Sequence, residues 1–221
     1  MATARNKLQP APRKSRKLNL TRAERADLVK RRLFEAAVKV VGQYGYAEAA
    51  VARITSLAGV AQGTFYNHFP NRQDLLDQLL PTVGQQLLSF IQSRLEKLDD
   101  EAEIEEARFR AFFEFLIEMP EFMRILNEAQ VFAPKGYEKH LELVQKNYMR
   151  ALRRGGVGED FSDAELEVIV CLLMGARSYL SHNYSYTDNN VHLPVDAVYS
   201  AYNKLIRNGI FRKPTAGDKN R

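Results

Sequence analysis

Between Arg32 and Leu76, apolar residues recur at helical spacing, the chain breaks at glycines, and it then runs Gly63-Thr64-Phe65-Tyr66-Asn67-His68-Phe69-Pro70-Asn71-Arg72. Leu33, Ala37, Val40 or Val41, and Tyr44 fall on one face of a first helix that Gly45 ends. A short second helix is predicted from about Val51 to Leu57, with Val51, Ile54 and Leu57 or Ala58 inward. Ala58-Gly59-Val60-Ala61 supplies the tight turn that joins it to a third helix, predicted from Gln62 to Phe69. At about 100° per residue, Phe65 and Phe69 share one face of that third helix, while Gly63 and Asn67 lie opposite, flanked by Thr64 and Tyr66. Two aromatics thus anchor a helix whose outer face is small and polar. Such a face can hydrogen-bond base edges, which bulky apolar groups cannot, and it lacks the acids that phosphate would repel. The segment reads as a helix-turn-helix unit that docks in a DNA groove.

The run Ile54-Thr55-Ser56-Leu57-Ala58-Gly59-Val60-Ala61-Gln62-Gly63-Thr64-Phe65-Tyr66-Asn67-His68-Phe69, followed by Arg72-Gln73-Asp74-Leu75-Leu76, resembles the DNA-binding signature of the TetR family of bacterial regulators. The resemblance covers Leu33 to Leu76, about a fifth of the chain, and the motif is highly specific. It implies an all-helical homodimer in which a small N-terminal reader joins a larger helical domain that binds a ligand or partner. By the same resemblance, Tyr66 and His68 match positions that touch phosphate, Gln62, Thr64 and Asn67 match positions that approach bases, and Asn71-Arg72 matches a further phosphate contact. Together with Gly63 and Arg53, these form the expected DNA-binding set: Gln62, Thr64 and Asn67 to discriminate bases, and Arg53, Tyr66, His68 and Arg72 to position the protein on phosphate. The chain departs from the family at Ala49 and Ala50, where a Ser or Thr often caps the second helix, which removes roughly 1 kcal/mol of capping.

Charge divides the 221 residues into two parts. Residues 1–80 hold 14 Lys/Arg and 6 Asp/Glu, a balance of +8, and residues 81–221 hold 18 and 21, a balance of −3, which together give the total of +5. A basic front and a mildly acidic back fit a nucleic-acid reader attached to a module that does not bind DNA. The expected division is a basic arm over 1–20, the helix-turn-helix domain over 21–72, a helical effector-binding and dimerisation domain over 73–213, and a tail over 214–221. The fold class is therefore all-α, with a three-helix N-terminal reader and a larger C-terminal helical domain. The arm carries Arg13, Lys14, Arg16 and Lys17 beside Pro10 and Pro12. It either lies along phosphate or the adjacent minor groove, or is a solvated tail.

Beyond the reader, Thr21 and Glu24 have the spacing of a capping box, as do Ser162 and Glu165. A long helix is expected from Arg72 to about Lys97, interrupted at Pro81 by either a hinge or a plain helix boundary. Asp99 to Glu106 reads as a solvated acidic linker, and an aromatic-rich helix follows over about Glu103–Met119. A helix over roughly Lys135–Arg154 stops at Gly155-Gly156. The next, to about Tyr184, is apolar on all sides from Val168 to Ala176 and so needs cover on every face. The last closes at Gly209. Leu172, Gly175, Ala176, Tyr179, Val198, Tyr202 and Leu205 on these last two helices form the expected interface of a homodimer, through a four-helix arrangement.

Catalytic chemistry has no foothold. His68, His140, His182 and His192 are scattered without metal-ligand spacing, and Gly155-Gly156-Val157-Gly158 lacks the lysine and strand of a phosphate loop. Neither a cofactor nor enzymatic activity is expected. The single cysteine, Cys171, excludes an internal disulfide and fits a reducing compartment; its neighbours Val170 and Leu172 predict a buried, inert thiol rather than an oxidation sensor. The longest apolar run, Val168–Ala176, is too short to cross a bilayer, and a cytoplasmic protein with no membrane partner is expected.

The aromatic and methionine cluster from Phe109 to Phe132 is either an effector pocket or solid core. Read as a pocket, it assigns Phe112, Phe115, Met119, Phe122, Met123, Asn127, Phe132, Tyr148 and Arg177 to a small apolar or aromatic effector. Arg177 either pairs with a carboxylate such as Glu128 or meets an anionic effector. The expected function is a sequence-specific regulator, a repressor released from a near-palindromic double-stranded operator by that effector. The alternatives are a DNA-binding scaffold controlled by a protein partner, and a membrane-surface or non-specific basic protein.

Overall fold

A computed structural model describes residues 21–96, 98–154, 161–187 and 190–208. The basic arm with Arg13, Lys14, Arg16 and Lys17, the Gly155-Gly156 stop, and the Gly209 stop lie outside these residues.

Helix α1, Arg22–Tyr44, starts where the sequence places its capping box: the Glu24 N–H donates to Thr21 Oγ1 at 3.2 Å and the Thr21 N–H donates to Glu24 at 2.7 Å. It stops at Gly45, whose φ of 86° few other residues adopt without strain. Helix α2, Val51–Ala58, has no side-chain cap at Ala50 and ends at Gly59 in the left-handed conformation, φ 67°. Helix α3 is shorter than expected: it spans Gln62–Phe65, and residues 66–68 turn instead. The Phe69 N–H still donates to the Phe65 carbonyl at 3.0 Å, so both aromatics point inward and are fully buried. Burial of each such side chain stabilises the reader by roughly 1.5–3 kcal/mol.

Helix α4, Arg72–Leu95, is capped by Asn71 and runs unbroken through Pro81. The expected interruption is absent. Lacking an N–H, Pro81 leaves the Asp77 carbonyl without its helical donor, and the chain passes Gly136 directly over that carbonyl. A Cβ on Gly136 would sit 2.4 Å from the Asp77 oxygen. Gly136 lies on α7, Pro134–Arg154. One heptad further along α4, Gly84 makes room for the His140 ring in the same way, its imagined Cβ being 2.2 Å from Nδ1. Two close approaches therefore lock α4 against α7.

Around that pair stand α5, Glu101–Glu118; α6, Phe122–Phe132; α8, Asp163–Tyr184; and α9, Asp196–Asn208. Asp100 caps α5, and Ser162 and Glu165 close a capping box on α8. Strands β1, Tyr186–Thr187, and β2, Asn190–Val191, form a two-residue antiparallel ladder before α9. The expected all-α class holds, and the reader helices share one continuous apolar core with the larger helical body. Among the described residues, no helix is long and apolar enough to cross a membrane.

Candidate nucleic-acid interface and interior cavity

The outward side of the turn-and-helix unit carries Gln62, Gly63, Tyr66 and Asn67, all exposed, with Thr64 and His68 half-buried beside them. A Cβ on Gly63 would meet nothing, so the surface there is open. Arg53 is partly exposed; it lies over the Tyr44 ring, 4.4 Å from its centroid, and 3.8 Å from Glu48.

Arg72 has a role within the chain that its sequence position does not disclose. Its Nε donates to the Ala49 carbonyl at 2.8 Å, and Nη2 donates to the Tyr46 and Ala47 carbonyls. These two nitrogens are engaged within the chain, holding the loop between α1 and α2.

A second clamp grips the same loop from α6. Arg124 donates to the Gly42 and Gln43 carbonyls at 3.2 and 2.9 Å, and Glu128 accepts from the Tyr46 N–H at 2.8 Å while pairing with Arg124 at 2.7 Å. One turn earlier, Glu121 pairs with Lys39 at 2.5 Å. The Gly42 and Gly45 positions permit the approach, because a Cβ on either would strike Glu121 or Arg124 and Glu128. The end of α1 is thus bound by polar contacts to one face of α6.

The other face of α6 lines a cavity of about 620 Å³ with Phe122 and Leu126. Leu88 and Ile91 of α4, Phe112 of α5, and Val144 of α7 extend the apolar wall. Along α7 the lining runs from His140 to Arg154, about 21 Å at a rise of 1.5 Å per residue. Of the expected effector residues, Phe112, Phe122, Tyr148 and Arg177 line this space. Phe115, Met119 and Met123 pack in the core instead. Asn127 is exposed, and Phe132 stacks on Tyr46 with centroids 6.3 Å apart, outside the cavity.

On the cavity wall sits a buried polar network. Glu105 accepts from Arg177 at 2.5 Å and Tyr202 at 2.6 Å on Oε1, and from Arg108 at 2.8 Å and the Tyr148 hydroxyl on Oε2. It joins α5, α7, α8 and α9. Burial would raise the Glu105 carboxyl, but Arg177 and Arg108, with the two tyrosine hydroxyls, outweigh it and hold the group below the usual carboxylate range. Burial drives Tyr148 and Tyr202 the other way, keeping both hydroxyls protonated as donors. Arg177 therefore pairs with Glu105 rather than with Glu128, which serves the α1 clamp. Sequence reasoning placed Glu105 in a solvated acidic run. Its signal was there to read: Glu105, Phe109, Phe112 and Leu116 follow helical spacing, which sets the carboxylate on the buried stripe.

The network also corrects the expected dimer face. Tyr202 stacks on Phe109 with centroids 3.6 Å apart, and Val198 is buried beside it, so neither is available to another chain. Ala176 is half-buried against the core. Leu172, Gly175, Tyr179 and Leu205 are exposed, together with Val168. Cys171 shares the open side of α8 and is exposed, not buried, because a single chain leaves that face uncovered. Among the described residues, no group of three or more His, Cys, Asp or Glu could hold a metal ion.

Residues 33–79 match the model of the bacterial regulatory proteins of the tetR family. The fatty acid metabolism regulator protein of Bacillus subtilis (strain 168) is 36% identical over 75 residues, 34% of this chain and 37% of that protein. The curated relatives are matched over only 33 to 44% of their own lengths. At the level of fold, the fatty acid degradation regulator FadR from Bacillus halodurans superposes with a TM-score of 0.66 at 20% identity, covering 84% of this chain and 97% of that one. FadR from Bacillus subtilis in complex with stearoyl-CoA gives 0.66 at 20% identity, covering 81% and 98%. The polar outer face of residues 62–68, the glycine-ended helices that present it and these matches agree: residues 33–79 carry the N-terminal domain of the tetR family of bacterial regulatory proteins.

Proposed function

We propose that the protein is a homodimeric, ligand-responsive repressor that leaves a near-palindromic operator when a small, elongated apolar molecule fills the cavity beneath α6. The observation that carries this reading is the double duty of α6. Phe122 and Leu126 face the cavity, while Glu121, Arg124 and Glu128 hold the end of α1 and the loop before α2. A molecule that displaces Phe122 or Leu126 moves the anchor of the reader. The Bacillus subtilis FadR solved with stearoyl-CoA shares the fold, which supports a ligand in the corresponding domain.

Asn67, Thr64 and Gln62 would read base edges, each good bidentate contact being worth about 1–3 kcal/mol, while Tyr66, His68 and Arg53 would position the reader on phosphate. Two readers on successive major-groove faces require a two-fold dimer, for which the exposed Val168, Leu172, Gly175 and Tyr179 side of α8 is suited. Release is governed by differential affinity. Taking the DNA-competent form from 99% to 1% needs an effector that prefers the other form by roughly 10⁴-fold.

The test is to mix the purified protein with sheared DNA from its own genome at about physiological salt and to sequence what is retained. One or a few near-palindromic sites are expected. Uniform retention would sink sequence-specific reading, and retention unaffected by any cavity-filling compound would favour control by a protein partner.

A further inference from the structure

Full burial on α1 begins only at Leu33, so the first three turns of that helix, Arg22 to Arg32, project past the apolar core with Val29 alone half-buried. Three turns of helix with almost no apolar cover add little to the fold, since a helix of this length is marginal in water by itself. What they hold in place is charge. The segment carries Arg22, Arg25, Lys30, Arg31 and Arg32 against Glu24 and Asp27. Among the described residues none of the five cations has an ion-pair partner. At about 100° per residue the signs separate around the helix. Arg22, Arg25, Lys30 and Arg32 fall in one half with Ala26 and Val29 and no acid, while Glu24, Asp27, Leu28 and Arg31 fall in the other. The basic half is continuous with the reader: Lys30 Nζ lies 5.7 Å from the centroid of the Phe69 ring, at the end of the unit that exposes Tyr66 and Asn67. From Lys30 the row extends about 12 Å along the helix to Arg22, at a rise of 1.5 Å per residue. A duplex carries one negative charge per roughly 1.7 Å of its axis, so a row of this length spans several phosphates.

Resting on the DNA-reading role above, we propose that the first three turns of α1 are a second DNA-docking element, whose basic half lies along duplex phosphates beyond those that residues 62–68 touch. It contributes affinity and no base preference, because phosphate contacts carry no sequence information directly. The acidic half, with Arg31, faces solvent.

Binding of the full chain to its recovered operator and to a random duplex of equal length, measured across salt concentrations, tests this. Each phosphate contact contributes about 0.9 to the slope of log affinity on log salt. The triple variant Arg22→Gln, Arg25→Gln, Lys30→Gln should therefore lower that slope by about 2–3 for each bound protomer, on both duplexes and with base preference unchanged. Arg31→Gln, on the opposite half, should leave it as in the wild type. The charge-retaining variant Arg22→Lys, Arg25→Lys, Lys30→Arg should keep the wild-type slope, which separates lost charge from a frayed helix. A slope lowered by less than about 1 in the triple variant makes the row a solvated face and overturns the proposal; Arg31→Gln acting as strongly as Lys30→Gln overturns it in favour of a diffuse charge effect. Phosphatidylglycerol vesicles retained by the wild-type chain and not by the triple variant, with the DNA slope unchanged, would assign the row to a lipid surface instead. Equal affinity for the two duplexes with the slope change intact overturns sequence reading and leaves the docking element standing, and failure of the wild-type chain to bind either duplex overturns both.

Discussion

Replacing Glu105 by Gln separates the two arginines from the one carboxylate that they pair with among the described residues, and tests the network directly. In the native chain that carboxylate accepts from Arg177, Tyr202, Arg108 and Tyr148. A glutamine offers one acceptor oxygen and turns an N–H₂ toward groups that are themselves donors. Two guanidiniums then stay buried with no counter-charge, and breaking a buried pair on one side costs about 3–5 kcal/mol. At a urea dependence of about 2–3 kcal/mol per molar, the unfolding midpoint falls by about 1–2.5 M. Arg108→Gln makes the informative comparison, because it leaves Glu105 and Arg177 as a balanced pair; its cost should be less than half as large. The assay is urea unfolding by circular dichroism at pH 7 and one fixed protein concentration, since association would otherwise shift both midpoints. The reasoning fails if Glu105→Gln costs under about 1 kcal/mol, or if Arg108→Gln costs as much as Glu105→Gln.

The other expectations concern pH, the loop clamp and base reading. His140 is held at about 4, below its ordinary 6.5, so between those values the unfolded chain binds a proton that the native chain refuses. Native stability should be insensitive to His140 above pH 6.5 and fall by about 3 kcal/mol as pH drops to 4; His140→Leu, measured by denaturant melts across that range, should flatten this part of the profile. Arg72→Ala removes three loop carbonyls' donor and should lower thermal stability, with DNA affinity falling alike for operator and random sequence; a salt dependence reduced by one phosphate contact would instead return Arg72 to the DNA surface. Asn67→Ala should relax preference at one operator position by about 1–3 kcal/mol in competition binding, and an unchanged base preference would remove Asn67 from the reading set.

What the sequence disclosed was chiefly local. The Thr21 and Ser162 capping boxes, the glycine stops at Gly45 and Gly59, and the buried Phe65 and Phe69 all follow from residues within one or two turns of each other. What it concealed was long-range or carried by backbone. Three of the four partners of Glu105 lie 43, 72 and 97 positions away, beyond any periodicity. Arg72 bonds carbonyls, which leave no mark in a sequence, so its hold on the loop before α2 was not legible there. Pro81 was read as a break because a proline removes one helical bond, yet the close passage of Gly136 shows the freed carbonyl being used as a packing surface. On α8 and α9, apolar periodicity marked faces that need cover but not what covers them. Val198 and Tyr202 turn to Phe109 and Glu105, while Leu172 and Tyr179 stay open.

Occupancy of the cavity under α6 is expected to be sensed at residues 62–68. Fluorescence anisotropy of the genomic site recovered with this protein, titrated with laurate or lauroyl-CoA at constant ionic strength, measures that link directly. Release is expected with whichever compound binds the chain, and it should be blunted in Arg124→Ala, where α6 loses its hold on the Gly42 and Gln43 carbonyls. A compound that binds in the cavity while operator affinity stays unchanged would contradict it.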